Sequence, residues 1–499
     1  MSYAISGGHQ KTIEAAEIIL RQGGNAVDAA IAAYLVSFVA EPCMASTGAG
    51  GFAMINDGSD VRLIDFFCQT PISKTPVAQQ DFYPVTVDFG NTTEDFHVGK
   101  GSIAIPGAIA GIFKMHEIYG SVPMKIIAEP AIQWAKEGIQ IDRFQAYDLT
   151  LLQSIFAIAA KGQELFFNAD AQLKKQGDII QMHGYADFIH ALVSEGRDLF
   201  YKGEISAKVS NDLAESGHLK RADFEQYQAI VRKPIHFNFM NHEVYAAGYP
   251  SVGGMILSSI LNGFQDDVTG KHLHPMTMDH FQQLVKTFGE VQQLESNPKK
   301  LAYHLFEQFG IQTIAGDSQG SKWGGTSHFN VVDHQGMTVS LTTSIGEGSG
   351  YFIEGTDMQM NNMLGEEALM PNGFHNWTPN TRLQSMMSPT IITNHNGKTI
   401  QALGSGGAGR IPYAIAQAMI YSWYFNQDPQ QSAGLPRIHL KGSHVECETG
   451  FEAAELGLPN VNTWDSSSLF FGGVNSVTHH KGRYVGAADQ RRFGSVISG

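Results

Sequence analysis

Cysteine is scarce in this chain: Cys43, Cys68 and Cys447 are the only three in 499 residues. Their spacing matches neither a zinc motif nor a disulfide framework, and the small odd number suits a reducing compartment. Positive charge is also short. Lys and Arg number 33 against 48 Asp and Glu, for a net charge of −15. Nucleic acid and anionic membranes both require a basic surface, so neither is expected as a partner. Long apolar runs are missing as well. The longest, 29–40, is interrupted by Tyr34 and Ser37 and is too short to cross a bilayer. The opening residues, Met1-Ser2-Tyr3-Ala4-Ile5-Ser6, have neither the basic nor the apolar region of an export leader. A cytoplasmic protein is therefore expected. There is no fixed-period repeat and no low-complexity segment. Histidines number 20, but the closest pairs, His272 with His274 and His479 with His480, lack a third ligand at metal spacing. No metal or cofactor is expected. Met386-Met387 and the 30 phenylalanines read as core.

What is present is ordinary globular material, 43% hydrophobic and enough for a large core. Two helices are expected to open the chain. Ile13, Ala16, Glu17 and Leu20 share a helical face that Gly23-Gly24 ends, and Asn25 can cap a second helix over 26–39. That second segment is apolar nearly all round and should be buried. Apolar runs at 52–55 and 61–67 flank Asp57-Gly58, a hairpin signal. The middle, 107–310, reads as mostly helical, with breaks near Gly177, Gly203 and Gly217. After Gly325 the pattern changes to hairpins: 327–333 with 337–343, 390–393 with 399–403, and 474–478 with 483–485 around Lys481-Gly482. Helices before and strands after predict an α+β layered sandwich.

Two short segments carry candidate chemistry. In Gly324-Gly325-Thr326-Ser327-His328 a threonine starts a strand directly after two glycines. A hydroxyl is a weak nucleophile without an adjacent base. Cutting the chain before Thr326 would supply one, because a free α-amine titrates near ~8. Glycine before the threonine tolerates the backbone geometry such a cut needs. Taken alone, the same residues also suit a plain loop entering a strand. The second segment is Gly404-Ser405-Gly406-Gly407-Ala408-Gly409-Arg410, after a strand and before a helical pattern. Its N–H groups could converge on a tetrahedral oxyanion. A simple turn or a phosphate loop would look similar, but there is no Walker lysine and no fitting dinucleotide fingerprint.

With these segments in place, the chain resembles the γ-glutamyltransferases, a family of N-terminal-nucleophile hydrolases. The resemblance starts with Gly23-Gly24-Asn25-Ala26-Val27-Asp28-Ala29-Ala30, Glu41-Pro42 and Gly48-Ala49-Gly50-Gly51-Phe52. It continues through Pro106-Gly107-Ala108-Ile109-Ala110-Gly111, 219–227 and Tyr249-Pro250-Ser251-Val252-Gly253-Gly254. It ends with 326–333, Asn361-Asn362, Ser388-Pro389-Thr390, 404–410 and Gly486-Ala487-Ala488-Asp489. The matches run in order over nearly the whole chain. The resemblance implies a four-layer αββα sandwich, cut between Gly325 and Thr326 into a large region, 1–325, and a small region, 326–499. Two such cut pairs could associate. It implies Thr326 as nucleophile and base, Ser344 as its support, and Gly407 and Ala408 as oxyanion donors. The implied substrates are small-molecule or peptide amides, γ-glutamyl compounds such as glutathione among them.

The same resemblance exposes departures. Phe67 stands where the family carries the arginine that binds the γ-glutamyl carboxylate. Gly346 replaces an asparagine, Met363 a Gln or Glu, and Met386 the second serine of a pair, which leaves Ser385 alone. Glu366 resembles the aspartate that holds the substrate amine. An apolar pocket with weakened γ-glutamyl recognition is expected, unless Arg382 or Arg410 reaches the carboxylate. The stretch between Asn362 and Ser385, which holds His375, Trp377 and Arg382, looks short for a lid, so an open site is expected. The alternative from another class is an unprocessed relative that only binds.

Overall fold

The computed structural model describes residues 2–88, 93–296, 300, 304, 307–309, 325–370, 372–480 and 483–499. Gly324, Lys481-Gly482 and the end of the middle segment, which figure in the expectations above, lie outside the described residues.

Thirteen strands build the two central sheets. In chain order they are β1 (Ala4–Gly7), β2 (Gly50–Asn56), β3 (Val61–Phe66), β4 (Ile230–Arg232), β5 (Ile235–Phe239), β6 (His242–Ala246) and β7 (Thr326–Val332). They continue with β8 (Thr338–Ser344), β9 (Thr390–Thr393), β10 (Thr399–Gly406), β11 (Gly473–His480), β12 (Arg483–Ala487) and β13 (Ser495–Ser498). One sheet has seven strands in the order β13-β1-β7-β8-β2-β3-β4, and the other has six in the order β12-β11-β10-β9-β6-β5. Neighbouring strands run antiparallel throughout.

Each sheet buries its outer face under helices. Over the seven-stranded sheet lie α1 (Gln10–Arg21), α2 (Ala26–Ala40), α3 (Ala108–Tyr119) and α4 (Arg143–Phe156). Over the six-stranded sheet lie α5 (Gly253–Val268), α6 (Met278–Glu295) and α7 (Ile411–Met419). The result is a four-layer αββα sandwich. Helix α2 is buried at every residue, as its all-round apolar sequence predicts. Asn25 caps it by accepting from the Val27 and Asp28 N–H groups at 2.9 and 3.0 Å, while Asp28 accepts from the Asn25 N–H.

The structure departs from the sequence reading at two places. The chain opens with a strand, β1, before its first helix. The middle segment also contains three strands of the central sheets, β4 to β6, and a short pair at Ile139–Gln140 and Ile179–Ile180. In β5, Ile235, Phe237 and Phe239 are buried while His236 and Asn238 are exposed, a period-2 pattern that belongs to a strand.

Alternation also sets what Thr326 faces. On β7, Ser327, Phe329 and Val331 point to the helix layer; Phe329 lies beside Tyr34 of α2 at a ring separation of 6.1 Å. Thr326, His328 and Asn330 take the opposite face, toward the second sheet. There Asn330 donates to the Asn475 carbonyl on β11 at 3.0 Å. On β8, Ser340 donates to the Leu403 carbonyl on β10 at 3.2 Å. The sheet–sheet seam is therefore lined by small polar groups around Thr326.

Candidate functional site

The strand register collects the candidates at one end of the seven-stranded sheet. Thr326 pairs with Ser344, Ser344 with Gly50, and Gly51 with Phe66, so Phe67 falls beside the same row. Ser344 Oγ donates to the Gly325 carbonyl at 2.8 Å, and the Ile345 N–H donates to the same oxygen at 3.4 Å. Ser344 Oγ in turn accepts from the Gly346 N–H at 3.1 Å. The carbonyl directly before Thr326 thus has two donors in place for negative charge on its oxygen. Gly325 has a steric requirement for glycine. An added Cβ would lie 2.0 Å from the Gly346 oxygen and 2.7 Å from the Cys43 oxygen.

The glycine loop lies across the seam from Thr326. A Cβ at Gly406 would meet the Thr326 oxygen at 2.5 Å, and one at Gly404 would meet the buried His328 ring at 2.3 Å. Gly407 has φ of 124° and Ala408 φ of 49°. A left-handed alanine is strained by roughly 1–2 kcal/mol, and this one sits where the candidate oxyanion donors turn into α7. Behind Thr326, Ser327 Oγ donates to Glu41 at 2.5 Å and Thr12 Oγ1 donates to the other Glu41 oxygen at 2.6 Å. Burial pushes the Glu41 carboxyl up, and these two hydroxyls oppose the shift. Among the described residues no cluster of His, Cys, Asp and Glu could hold a metal ion.

The sequence matches the family model for gamma-glutamyltranspeptidase over residues 12–499. The chain belongs to the gamma-glutamyltranspeptidase family. A glutathione hydrolase proenzyme of Bacillus subtilis is 26% identical over 99% of this chain and 91% of its own length. The capsule biosynthesis protein CapD proenzyme of Bacillus anthracis is 26% identical over 99% and 90%. Among solved structures, a cephalosporin acylase from Bacillus halodurans superposes with a TM-score of 0.81 at 20% identity, covering 99% of this chain and 95% of its own. A Helicobacter pylori gamma-glutamyltranspeptidase gives a TM-score of 0.51 at 24% identity over 58% and 81%. The protein is a gamma-glutamyltranspeptidase-like enzyme with the N-terminal-nucleophile hydrolase fold.

The positions where this family would grip a γ-glutamyl group look different here. Phe67 is 1% exposed and stacks on Phe52 at 5.6 Å. It shares one apolar cluster with Met363, Leu364, Met370, Trp377 and Leu383. Arg382, the candidate to stand in for the arginine that the resemblance implies, is engaged within the protein. Its Nη1 donates to the Phe67 carbonyl and its Nη2 to the Gln228 carbonyl, both at 2.7 Å, while its Nε lies 3.4 Å from Asp65. Its guanidinium also covers the Tyr227 ring at 4.6 Å. Arg410 is buried with its guanidinium over Phe470 at 4.7 Å, and burial pulls its pKa down to about 9.

The short stretch after Asn362 is held against a neighbouring loop. Residues 374–383 are fastened onto 67–74. Thr70 Oγ1 donates to the Thr378 and Thr381 carbonyls, Leu383 N–H donates to the Cys68 carbonyl, and Lys74 donates to the His375 carbonyl.

Asn361 and Asn362 are stitching residues. Asn361 donates to the Gly48 and Ala104 carbonyls and accepts from the Ala104 and Met363 N–H groups. Asn362 accepts from the Glu347 N–H and donates to the Glu347 carboxylate. Gly346 has φ of 70°, and a Cβ there would lie 2.1 Å from Asn362 Oδ1 and 2.3 Å from Glu366 Oε1. Glu366 therefore stands directly against Gly346. Its Oε1 is sealed without a hydrogen-bond partner, and burial pushes its pKa up to about 8, with Glu94 acting the same way. Glu347 is pushed up by burial and then by Glu366. Ser385 and Met386 hold the start of α5. Ser385 Oγ accepts from the Met387 N–H, its carbonyl accepts from Val252 N–H, and a Cβ at Gly253 would lie 2.0 Å from the Met386 oxygen.

Three residues close to Thr326 escaped sequence reasoning. Glu41 was visible only as part of a Glu-Pro signature. Glu347 carries no local signal. Arg492 lies 166 positions from the threonine whose carbonyl it contacts, and nothing in its neighbourhood marks it.

Proposed function

We propose that this protein cuts itself between Gly325 and Thr326 and then acts as an amidohydrolase or acyltransferase through Thr326. The observation that carries the reading is the pair of donors, Ser344 Oγ and Ile345 N–H, on the carbonyl that Thr326 would attack. In the cut, Thr326 Oγ adds to the Gly325 carbon and charge moves to the oxygen held by those donors. Collapse transfers the acyl bond from nitrogen to Oγ, and water then hydrolyses the ester. The products are a carboxylate at Gly325 and a free amine at Thr326, which divide the chain into 1–325 and 326–499.

In turnover the amine takes the proton from Thr326 Oγ as the oxygen adds to the substrate carbonyl. The N–H groups of Gly407 and Ala408 would take the oxyanion. The proton passes to the leaving amine, and an acyl ester remains on Thr326. Water gives hydrolysis and a second amine gives transfer.

The acyl donor in this reading carries hydrogen-bond donors and lacks a carboxylate anchor. Hydrogen bonds to charged groups contribute about 1.5–3 kcal/mol each. With Phe67 buried and Arg382 engaged, a γ-glutamyl carboxylate would forgo its arginine, while Glu347 and Glu366 still offer acceptors for an amine or amide. The three cysteines are free and buried, which supports a reducing compartment.

Intact mass under denaturing conditions tests the core of the proposal. Two chains meeting at Gly325 and Thr326 are expected. A single chain of 54.4 kDa would return the protein to the binding-only reading. On cut protein, acyl amides without an α-carboxylate should turn over faster than glutathione. Glutathione turnover faster than theirs would overturn the substrate assignment.

A further inference from the structure

Arg492 is the last residue of the short turn Gln490–Arg492 before the terminal strand and is buried. Its Nη1 donates to the carbonyl oxygen of Thr326 at 3.2 Å. Its side chain runs beneath the glycine loop. A Cβ at Gly473 would lie 2.6 Å from its Cδ, one at Gly406 2.7 Å from its Nη1, and one at Gly407 3.9 Å from its Nη2. The guanidinium thus sits between the candidate nucleophile and the turn that would carry the oxyanion donors. Within one residue the carbonyl oxygen and the backbone nitrogen are only about 3 Å apart. A cut before Thr326 would therefore free an amine within roughly 7 Å of a buried cation.

We propose that Arg492 tunes the α-amine of the cut protein, keeping it unprotonated at neutral pH so that it can serve as the base. This rests on the self-cleavage reading above. An ordinary α-amine titrates near ~8 and would be mostly ammonium at pH 7. A like charge so close, in a site walled from water, disfavours the ammonium form.

Burial lowers the Arg492 guanidinium pKa from its ordinary high value, while Asp148 and Asp489 act the other way. Asp489 is committed to Arg437 at 2.7 Å and to Arg491 at 3.1 Å. Asp148 on α4 is buried, and burial pushes its carboxyl well up, with Arg492 acting the other way. Burial likewise raises Glu41 behind Ser327, and Glu347 and Glu366 near Gly346, where Glu94 adds to the shift. His328, two residues along β7, is held neutral by burial, its pKa pulled down to about 3. Arg410 supplies a second buried cation from the turn and is itself depressed by burial and then by Arg492. The field at Thr326 is set by two guanidiniums and by carboxyls that are either paired or held toward neutrality. Arg492 is a positioning residue for charge, acting through the amine.

The titration of the Thr326 amine in cut protein tests this, read as the pH dependence of its reductive methylation by the mass of the small fragment. A midpoint below about 7 is expected in the unchanged protein. It should rise by about one pH unit in Arg492→Gln and fall back in Arg492→Lys at matched melting temperature. A midpoint at or above about 8 in the unchanged protein overturns the proposal, and so does an Arg492→Gln amine that titrates where the original does. If Arg492→Gln fails to cut or fold, the midpoint of the unchanged protein decides. An uncut unchanged chain overturns the self-cleavage reading and this one together. A cut chain with an ordinary amine overturns this one alone.

Discussion

On one side of Thr326 lie the end of β8 and the glycine loop, where polar donors hold fixed partners and almost every position is constrained. On the other lies the wall formed by Phe67, Met363 and the 374–383 segment, which is packed with apolar side chains and strapped down by backbone hydrogen bonds. The first region holds the groups to which the proposed bond-breaking is assigned. The second holds Phe67 and Met363 where the resemblance implies polar contacts to a γ-glutamyl group. In the proposed reading, reaction chemistry and substrate choice fall to separable parts of one site, and each can be perturbed without the other.

The strongest break is on the reacting side. Thr326→Ala should leave a single 54.4 kDa chain with no amide turnover and an unchanged fold, as read by denaturing mass and melting temperature. Ser344→Ala removes the shorter of the two donors on the Gly325 oxygen and should slow self-cleavage by about 10²–10³-fold, measured as the half-time of chain conversion. On the other side, Phe67→Ala should cost about 3–5 kcal/mol of stability by opening a cavity beside Phe52, seen in denaturant unfolding, while cleavage continues in the protein that folds.

Glu366→Gln probes the border between the two regions. Folding raises the Glu366 pKa from 4.5 to about 8. The native state therefore holds its proton where the unfolded state has lost it. Stability from this group falls as pH rises between about 4.5 and 8 and is level on either side of that window. The substitution should flatten that fall in a pH series of unfolding midpoints. The smallest effect is expected at Ala408→Gly, which relieves a left-handed alanine and should stabilise by about 0.5–1 kcal/mol, with no loss of turnover.

Much of this comparison was legible in the sequence, though unevenly. The capping of α2 by Asn25, the hairpin of β7 with β8 and the strand-to-helix glycine loop all follow from residues close in sequence, so local patterns reveal them. Strands β5 and β6 were missed although Ile235, Phe237 and Phe239 alternate, because they are short and stand within a long helical stretch. The sequence suggests glycine at 325 for backbone freedom, and the carbonyls of Gly346 and Cys43 add a steric reason. That reason needs three separate segments brought together. Phe67 could be read as a replacement, but only packing shows that the space is filled. Arg492 and Glu347 approach the site across long sequence separations, and no motif predicts such contacts.

Strand β1 lies between β13, at the carboxyl end of the chain, and β7, which begins at Thr326. The first residues of the chain are thus zipped on both edges to strands from beyond the proposed cut. Severing the peptide before Thr326 would change the covalent bookkeeping and leave the weave intact. The two products would be halves of one sheet, unable to part without unfolding, and dilution would not separate them.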